Sequence, residues 1–122
     1  MKDLTVQLED RPGTLAELAE ALGNAGINIE GIAGFAVPGV GGLVHLLVED
    51  GAAARAALES TGVGIEHEAD AVLVDVEGKP GELGRIARRL SDAGVNLTAG
   101  YLATKTRLAL LSDDAGRIKA AL

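Results

Sequence analysis

Two short stretches of the sequence place a positively charged residue, a proline and a glycine at the start of a helical pattern. They are "RPG" at residues 11–13 and "KPG" at residues 79–81. Because proline is favoured at the first helical position, the pattern predicts Arg11 and Lys79 as N-cap residues, where neither side chain accepts a hydrogen bond. The first N–H groups of both helices would then lack partners and would suit an anion such as a carboxylate. Capping by Asp10 or by water is the alternative that the sequence leaves open.

An asparagine follows each of these prolines at the same distance. Asn28 and Asn96 stand 16 residues after Pro12 and Pro80 (28 − 12 and 96 − 80), each in an apolar stretch that predicts the start of a strand. An amide offers one acceptor and two donors, which complements an ammonium group beside a carboxylate. Free helix N–H groups and a nearby amide therefore indicate a receptor for a free amino acid. The alternative is that each asparagine holds together the turn between its helix and its strand.

The two stretches belong to an internal repeat. Residues 12–29 and 80–97 align at an offset of 68 (80 − 12), and 8 of the 18 aligned positions are identical. Three further pairs exchange one branched apolar residue for another. Self-similarity over this length indicates a duplicated structural module.

Each copy of the repeat predicts the same order of elements. Alternation of Leu4, Val6 and Leu8 with polar residues is typical of a half-buried strand, and apolar residues at helical spacing follow until the stop at Gly26. The first copy predicts strands at 4–9, 27–37, 42–50 and 62–69 and a second helix at 52–60. The second copy predicts strands at 71–77, 95–103 and 107–112, helices at 80–93 and in the last ten residues, and a turn at Lys105 and Thr106. It has no room for a fourth strand.

The predicted fold class is α+β, with two ferredoxin-like βαββαβ modules in tandem over residues 1–69 and 70–122. Each antiparallel sheet is expected to carry its helices on one face, and the second module lacks its last strand. Open sheet edges are normally covered, so we expect the first copy or another subunit to cover this one. The strand at 42–50 is apolar on both faces, which also predicts a partner for the sheet.

The composition excludes several classes of function. The 122 residues include no cysteine, which removes thiolate nucleophiles and thiolate metal sites. The net charge of −7 and the single Phe, single Tyr and absent Trp argue against nucleic-acid binding. The two histidines, His45 and His67, have no catalytic partner set, so the sequence predicts no enzyme, no cofactor and no metal. With no apolar run near ~20 residues and no signal peptide, we expect a cytoplasmic protein without membrane contact.

Charge is distributed unevenly along the chain. Residues 1–70 hold 12 acidic and 3 basic residues, a balance of −9, whereas residues 71–122 hold 6 acidic and 8 basic residues, a balance of +2. Opposite signs favour attraction within the chain or between subunits. The alternative interpretation is that the uneven charge arose by evolutionary drift at solvent-exposed positions and has no partner.

The strand order together with "DRPGTLAELAEALGNAGINI" resembles the ACT domain family of small regulatory modules. The whole chain resembles a stand-alone tandem pair, and residues 96–106, "NLTAGYLATKT", resemble serine-sensing members of the family. The resemblance implies that an amino acid binds between two modules, through the strand-to-helix loop of one and the start of the second strand of the other. The matching positions are Asp10, Arg11, Pro12, Gly13, Thr14, Leu15, Asn28 and Ile29, and in the second copy Gly78, Lys79, Pro80, Gly81, Glu82, Leu83, Asn96 and Leu97.

One departure from the family pattern concerns the first position of each loop. The serine-sensing members carry an asparagine where this chain has Asp10 and Gly78, so the two sites are expected to be unequal. The resemblance implies a homodimer that binds a free amino acid and modulates a partner enzyme or regulator, with an amino-acid biosynthetic enzyme as one candidate partner. The alternative function is a structural module that docks on a metabolic enzyme and binds no small ligand.

Overall fold

The computed structural model describes residues 1–104 and 106–122, and the chain divides into two compact units, Met1–Ala69 and Asp70–Leu122. The first unit contains β1 (Lys2–Leu8), α1 (Thr14–Asn24), β2 (Gly31–Val37), β3 (Gly41–Val48), α2 (Gly51–Glu59) and β4 (Gly64–Asp70). The second contains β5 (Val72–Asp75), α3 (Glu82–Asp92), β6 (Leu97–Thr104), β7 (Arg107–Ser112) and α4 (Ala115–Ala121). The predicted α+β class and the order of elements are confirmed.

The first unit is a four-stranded sheet with its core on one face. Its strand order is β2-β3-β1-β4, and β3 pairs antiparallel with both β1 and β2. The predicted alternation in β1 is confirmed, because Leu4, Val6 and Leu8 are buried. They pack in one cluster with the buried Leu18 and Leu22 of α1. Both helices contribute to this cluster, so they cover the same face of the sheet.

The second unit repeats this arrangement with three strands in the order β5-β7-β6. Ile86 and Leu90 of α3 and Ile118 of α4 pack against the buried Leu108 and Leu110 of β7. Within the described residues β5 pairs with β7 alone, so the sheet has the three strands that the sequence predicts for residues 70–122. What covers the open edge of β5 stays a prediction. The expected turn at Lys105 and Thr106 includes Lys105, which lies outside the described residues.

The predicted helix starts are wrong by two residues. The helices α1 and α3 begin at Thr14 and Glu82, and their N-caps are Gly13 and Gly81 rather than Arg11 and Lys79. The physical reason is the reversal of the chain from strand to helix. It uses a left-handed residue at the cap, with φ of 96° at Gly13 and 92° at Gly81, and glycine adopts this conformation without steric cost.

The second strand of the first unit also starts later than predicted. Its pairing with β3 begins at Gly31 opposite Leu47, so Asn28 lies in the segment between α1 and β2. The delay follows from the end of α1, where Gly26 has a φ of 74° and the Ile27 N–H donates to the Leu22 carbonyl at 2.9 Å. This closure of the helix end uses residues that the sequence pattern assigns to the strand.

Candidate functional site

A groove of about 420 Å³ separates the β1–α1 loop from the edge strand β2 in the first unit. We call it the loop groove, and it is lined by Leu8, Glu9, Asp10, Arg11, Thr14, Leu15, residues 32–36, Gly42 and Val44. Its apolar walls include Leu15 and Ile32, which are 50% and 46% exposed. Because β2 is the outer strand of its sheet, no further strand of the described unit covers this side.

The N-terminus of α1 meets the loop groove without a side-chain cap. The Gly13 carbonyl accepts the first helical bond, from the Glu17 N–H at 2.9 Å, so the N–H groups of the first turn belong to residues 14–16. The other helix of the unit, α2, does have a side-chain cap, because the Asp50 carboxylate accepts a hydrogen bond from the Ala53 N–H at 3.0 Å. The helix that faces the groove is thus the one that lacks a cap.

Arg11 ties the loop to the first turn of α1. Its Nε donates to Glu9 Oε2 at 2.9 Å, and its Nη2 lies 3.7 Å from Glu17 Oε2. The hydrogen bond to Glu9 and the charge of Glu17 raise the pKa of the Arg11 guanidinium above its ordinary value. The groove therefore keeps a positive charge next to the free N–H groups of the helix.

The remaining polar groups of the loop differ in how they are engaged. The Thr14 hydroxyl donates to the Glu9 carbonyl at 2.9 Å or to the Arg11 carbonyl at 3.2 Å, which holds the loop closed on the helix. No described residue forms a hydrogen bond or ion pair with the exposed Asp10 carboxylate. The groove thus combines a cation, free donors and a free carboxylate within one apolar recess.

Four of the eight predicted site residues of the first unit do not line the loop groove. Asn28 is exposed, and its Nδ2 donates to Glu30 Oε1 at 3.0 Å. Ile29 packs against the core of the first unit. Pro12 and Gly13 lie in the exposed loop itself. The part that Asn28 would play for a facing module stays a prediction.

The corresponding loop of the second unit has a different charge at the helix start. Lys79 pairs with Glu77 at 2.7 Å, and Glu82, at the position of Thr14, accepts two hydrogen bonds of 3.3 Å from Arg85. The bonds from Arg85 lower the pKa of Glu82, so its carboxylate stays ionised near neutral pH. A fixed anion therefore stands on the first turn of α3, where the first unit has a hydroxyl.

The other predicted residues of the second unit frame this loop. Gly78 has a φ of 66°. Leu83 is 58% exposed, and Leu15, its counterpart in the first unit, is 50% exposed. Asn96 is exposed immediately before β6, and Leu97 packs against the second core. Pro80 and Gly81 lead into the uncapped N-terminus of α3.

The β2 side of the loop groove was not predicted from the sequence. Ile32 and Gly34 stand opposite Leu46 and Val44 of β3, so they share the face that carries the helices. Every residue of β2 is apolar or glycine, so its sequence does not indicate this face, and the closeness of the strand to the start of α1 appears only in the folded unit.

Comparisons with known proteins show what the chain is similar to. The model of the ACT domain matches residues 2–60. Among solved structures, a protein from Bacteroides thetaiotaomicron has a TM-score of 0.84 at 24% identity, over 99% of this chain and 85% of that one. The ligand-free regulatory subunit of aspartate kinase from Thermus thermophilus has a TM-score of 0.76 at 20% identity, over 99% and 86%.

The same fold also forms part of a longer chain. The aspartate kinase of Clostridium acetobutylicum matches with a TM-score of 0.64 at 14% identity, over 98% of this chain and 31% of that one. No curated protein matches the sequence. No helix among the described residues is long and apolar enough to span a membrane. Residues 2–60 of the first unit therefore match the ACT domain, and the second unit repeats the fold of the first with a sheet of three strands.

Proposed function

We propose that the loop groove binds a free amino acid and that the chain is a regulatory subunit. The observation that carries the proposal is the combination of Arg11, the uncapped start of α1 and the free Asp10 carboxylate around one apolar recess. A zwitterion with an apolar side chain needs these three environments. The match of residues 2–60 to the ACT domain, a small regulatory module, supports the same assignment.

The charges of the groove set the orientation of the ligand. The carboxylate is expected on the N–H groups of residues 14–16 and the Arg11 guanidinium, because the helix N-terminus carries a positive partial charge. The ammonium is expected beside Asp10, which no described residue engages. The ligand side chain then lies along Leu15 and Ile32.

A second copy of the chain completes the proposed site. Asn28 is exposed and outside the groove of its own unit, so its amide is available to a ligand held by a facing copy. A ligand that contacts both copies binds the associated state more tightly and shifts the equilibrium toward it. The likeness to the aspartate kinase regulatory subunit supports an amino-acid biosynthetic enzyme as the target of this change.

A thermal-shift screen of the purified chain against the twenty free amino acids tests the proposal. A ligand at about 100 times its Kd adds about 2.7 kcal/mol to the free energy of unfolding. We expect stabilisation by apolar amino acids and none by their amides or N-acetyl derivatives, which lack the carboxylate or the ammonium. Asn28→Ala is expected to weaken the response if a facing copy contributes its amide.

The absence of any shift for all twenty amino acids contradicts the proposed function. The chain would then act as a structural module that docks on a metabolic enzyme. An equal shift from an amino acid and from its amide contradicts the assignment of the carboxylate to the start of α1.

The two units are expected to differ in ligand binding. Because Glu82 places an ionised carboxylate on the first turn of α3, isothermal titration calorimetry should give one ligand per chain. Glu82→Thr copies the residue of the first unit and is expected to raise the stoichiometry toward two. Two equal sites in the unaltered chain contradict this role of Glu82.

A further inference from the structure

The exposed faces of α1 and α3 carry opposite charges at matched positions of the repeat. Glu17 and Glu20 of α1 correspond to Arg85 and Arg88 of α3 at the offset of 68. All four residues are exposed. Glu20 and Arg88 each lie midway between the two buried apolar residues of their helix, which places them on the side opposite the core. The two helices occupy corresponding places in the repeat and bury apolar residues at matched positions, so the inversion of charge concerns their exposed faces.

The acidic face borders a groove of about 480 Å³ between α1 and α2, which we call the helix groove. Its lining includes four alanines, Ala21, Ala25, Ala56 and Ala57. It also includes two acidic residues of α1, Glu17 and Glu20. Because alanine side chains are short, the helix groove has room for a long side chain from outside. No described residue lines both grooves. Glu17, at the side of the helix groove, lies 3.7 Å from Arg11, which lines the loop groove.

The basic face of α3 carries long side chains where the acidic face of α1 borders a groove. Where α1 has Ala21, α3 has Arg89, so Arg85, Arg88 and Arg89 form a ridge that we call the arginine ridge. Arg89 donates to the Ala121 carbonyl at 3.2 Å, and Arg85 is bonded to its own helix. No described residue forms an ion pair or a hydrogen bond with Arg88, which is exposed at the centre of the ridge.

We propose that the arginine ridge of one copy docks in the helix groove of a second copy. Arg88 then enters between the acidic side chains Glu17 and Glu20, and its aliphatic stem lies on the alanines. Charge complementarity selects this pairing, since contact between two like helix faces would bring Glu20 against Glu20 or Arg88 against Arg88. The inference goes beyond the proposed function, because it uses neither the loop groove nor a ligand.

Sedimentation equilibrium of charge-reversal variants tests the docking. Wild-type chain is expected to associate more strongly at about 100 mM than at about 500 mM salt, since added salt screens exposed ion pairs. Glu20→Arg and Arg88→Glu are each expected to raise the Kd of this salt-sensitive association by about five- to tenfold. Circular dichroism checks that both variants remain folded.

Mixing the two single variants gives the sharper result. In the mixture, the arginine introduced at position 20 of one variant meets the glutamate introduced at position 88 of the other. The native Arg88 and Glu20 meet at the second contact, so association is expected to return. Glu66→Arg, an equal change of charge at an exposed position of β4, serves as the matched control.

Three results would overturn the docking. They are a wild-type mass that is independent of salt, single variants that associate as the wild type does, and an equal loss of association in Glu66→Arg. The thermal-shift screen measures ligand binding at the loop groove separately, so a failure of the docking is distinguishable from a failure of the proposed function.

Discussion

Replacement of Thr14 by glutamate is expected to weaken amino-acid binding at the loop groove by about ten- to a hundredfold. The new carboxylate would stand on the first turn of α1, where Glu82 stands on the first turn of α3. It would compete with the ligand carboxylate for the free N–H groups and for Arg11. A titration of the thermal shift, or calorimetry where the affinity allows it, measures the change in Kd.

Thr14→Gln is the control that separates charge from structure. Both variants lose the hydroxyl that donates to the carbonyls of Glu9 and Arg11, so both loosen the loop to the same extent. Only glutamate adds a negative charge, and a negative charge in the first turn stabilises an isolated helix. Thr14→Glu should therefore remain folded while it binds less ligand than Thr14→Gln. Equal affinities for the two variants would mean that the ligand carboxylate does not bind at the start of α1.

Gly13 is the less informative position for such a test. Its φ of 96° strains any residue with a side chain, so a substitution there changes the loop as well as the charge. This left-handed cap is also the reason that the helix starts were predicted two residues early. Proline at the first helical position is a statistical preference, and the sequence "RPGT" is equally compatible with a turn followed by a glycine cap.

The fold was predictable because its signals are periodic and repeated. The alternation of β1 and the helical spacing of Leu18 and Leu22 each match one buried face, and the duplication provides the same pattern twice. The loop groove was predictable only in part. Its loop residues are adjacent in sequence, but Ile32 joins them through the pairing of β2 with β3, which is a tertiary contact.

Single polar residues were the least predictable from the pattern. Asp3 lies in a strand whose alternation assigns it to the face opposite the core, yet it is fully buried. Its carboxylate lies 3.0 Å from Nδ1 of His45, a residue 42 positions away. Burial of a polar residue by a distant partner leaves no mark on local periodicity. The same holds for Asn28, whose bond to Glu30 depends on the conformation of the segment before β2.

The second large effect is expected at the cross-strand pair of Ile32 and Leu46. These residues stand directly opposite each other in β2 and β3 and share the face that carries the helices. Leu46 is fully buried in the core, whereas Ile32 is 46% exposed in the loop groove. Leu46→Ala is expected to lower the free energy of unfolding of the first unit by about 2–5 kcal/mol, because it removes buried methyl groups and leaves a cavity.

Ile32→Ala is the matched substitution on the neighbouring strand, and its expected effects are the reverse. It should cost about 1 kcal/mol of stability or less, because half of the side chain is already in water. It should nevertheless weaken the binding of an apolar amino acid by about five- to tenfold, since it removes part of the groove wall. Hydrogen exchange of amides in β1 and β3 measures the stability of the first unit, and the thermal-shift titration measures the affinity.

The comparison of the two variants separates the scaffold from the site within one pair of residues. If the loop groove holds the ligand, Ile32→Ala lowers the affinity for the ligand and Leu46→Ala lowers the stability of the first unit, although the two side chains are neighbours on one sheet. Folded Leu46→Ala should bind with nearly unchanged intrinsic affinity, because Leu46 does not line the groove. A ligand that binds Ile32→Ala as tightly as the unaltered chain lies elsewhere on the molecule, and its site then has to be sought away from the β2 edge.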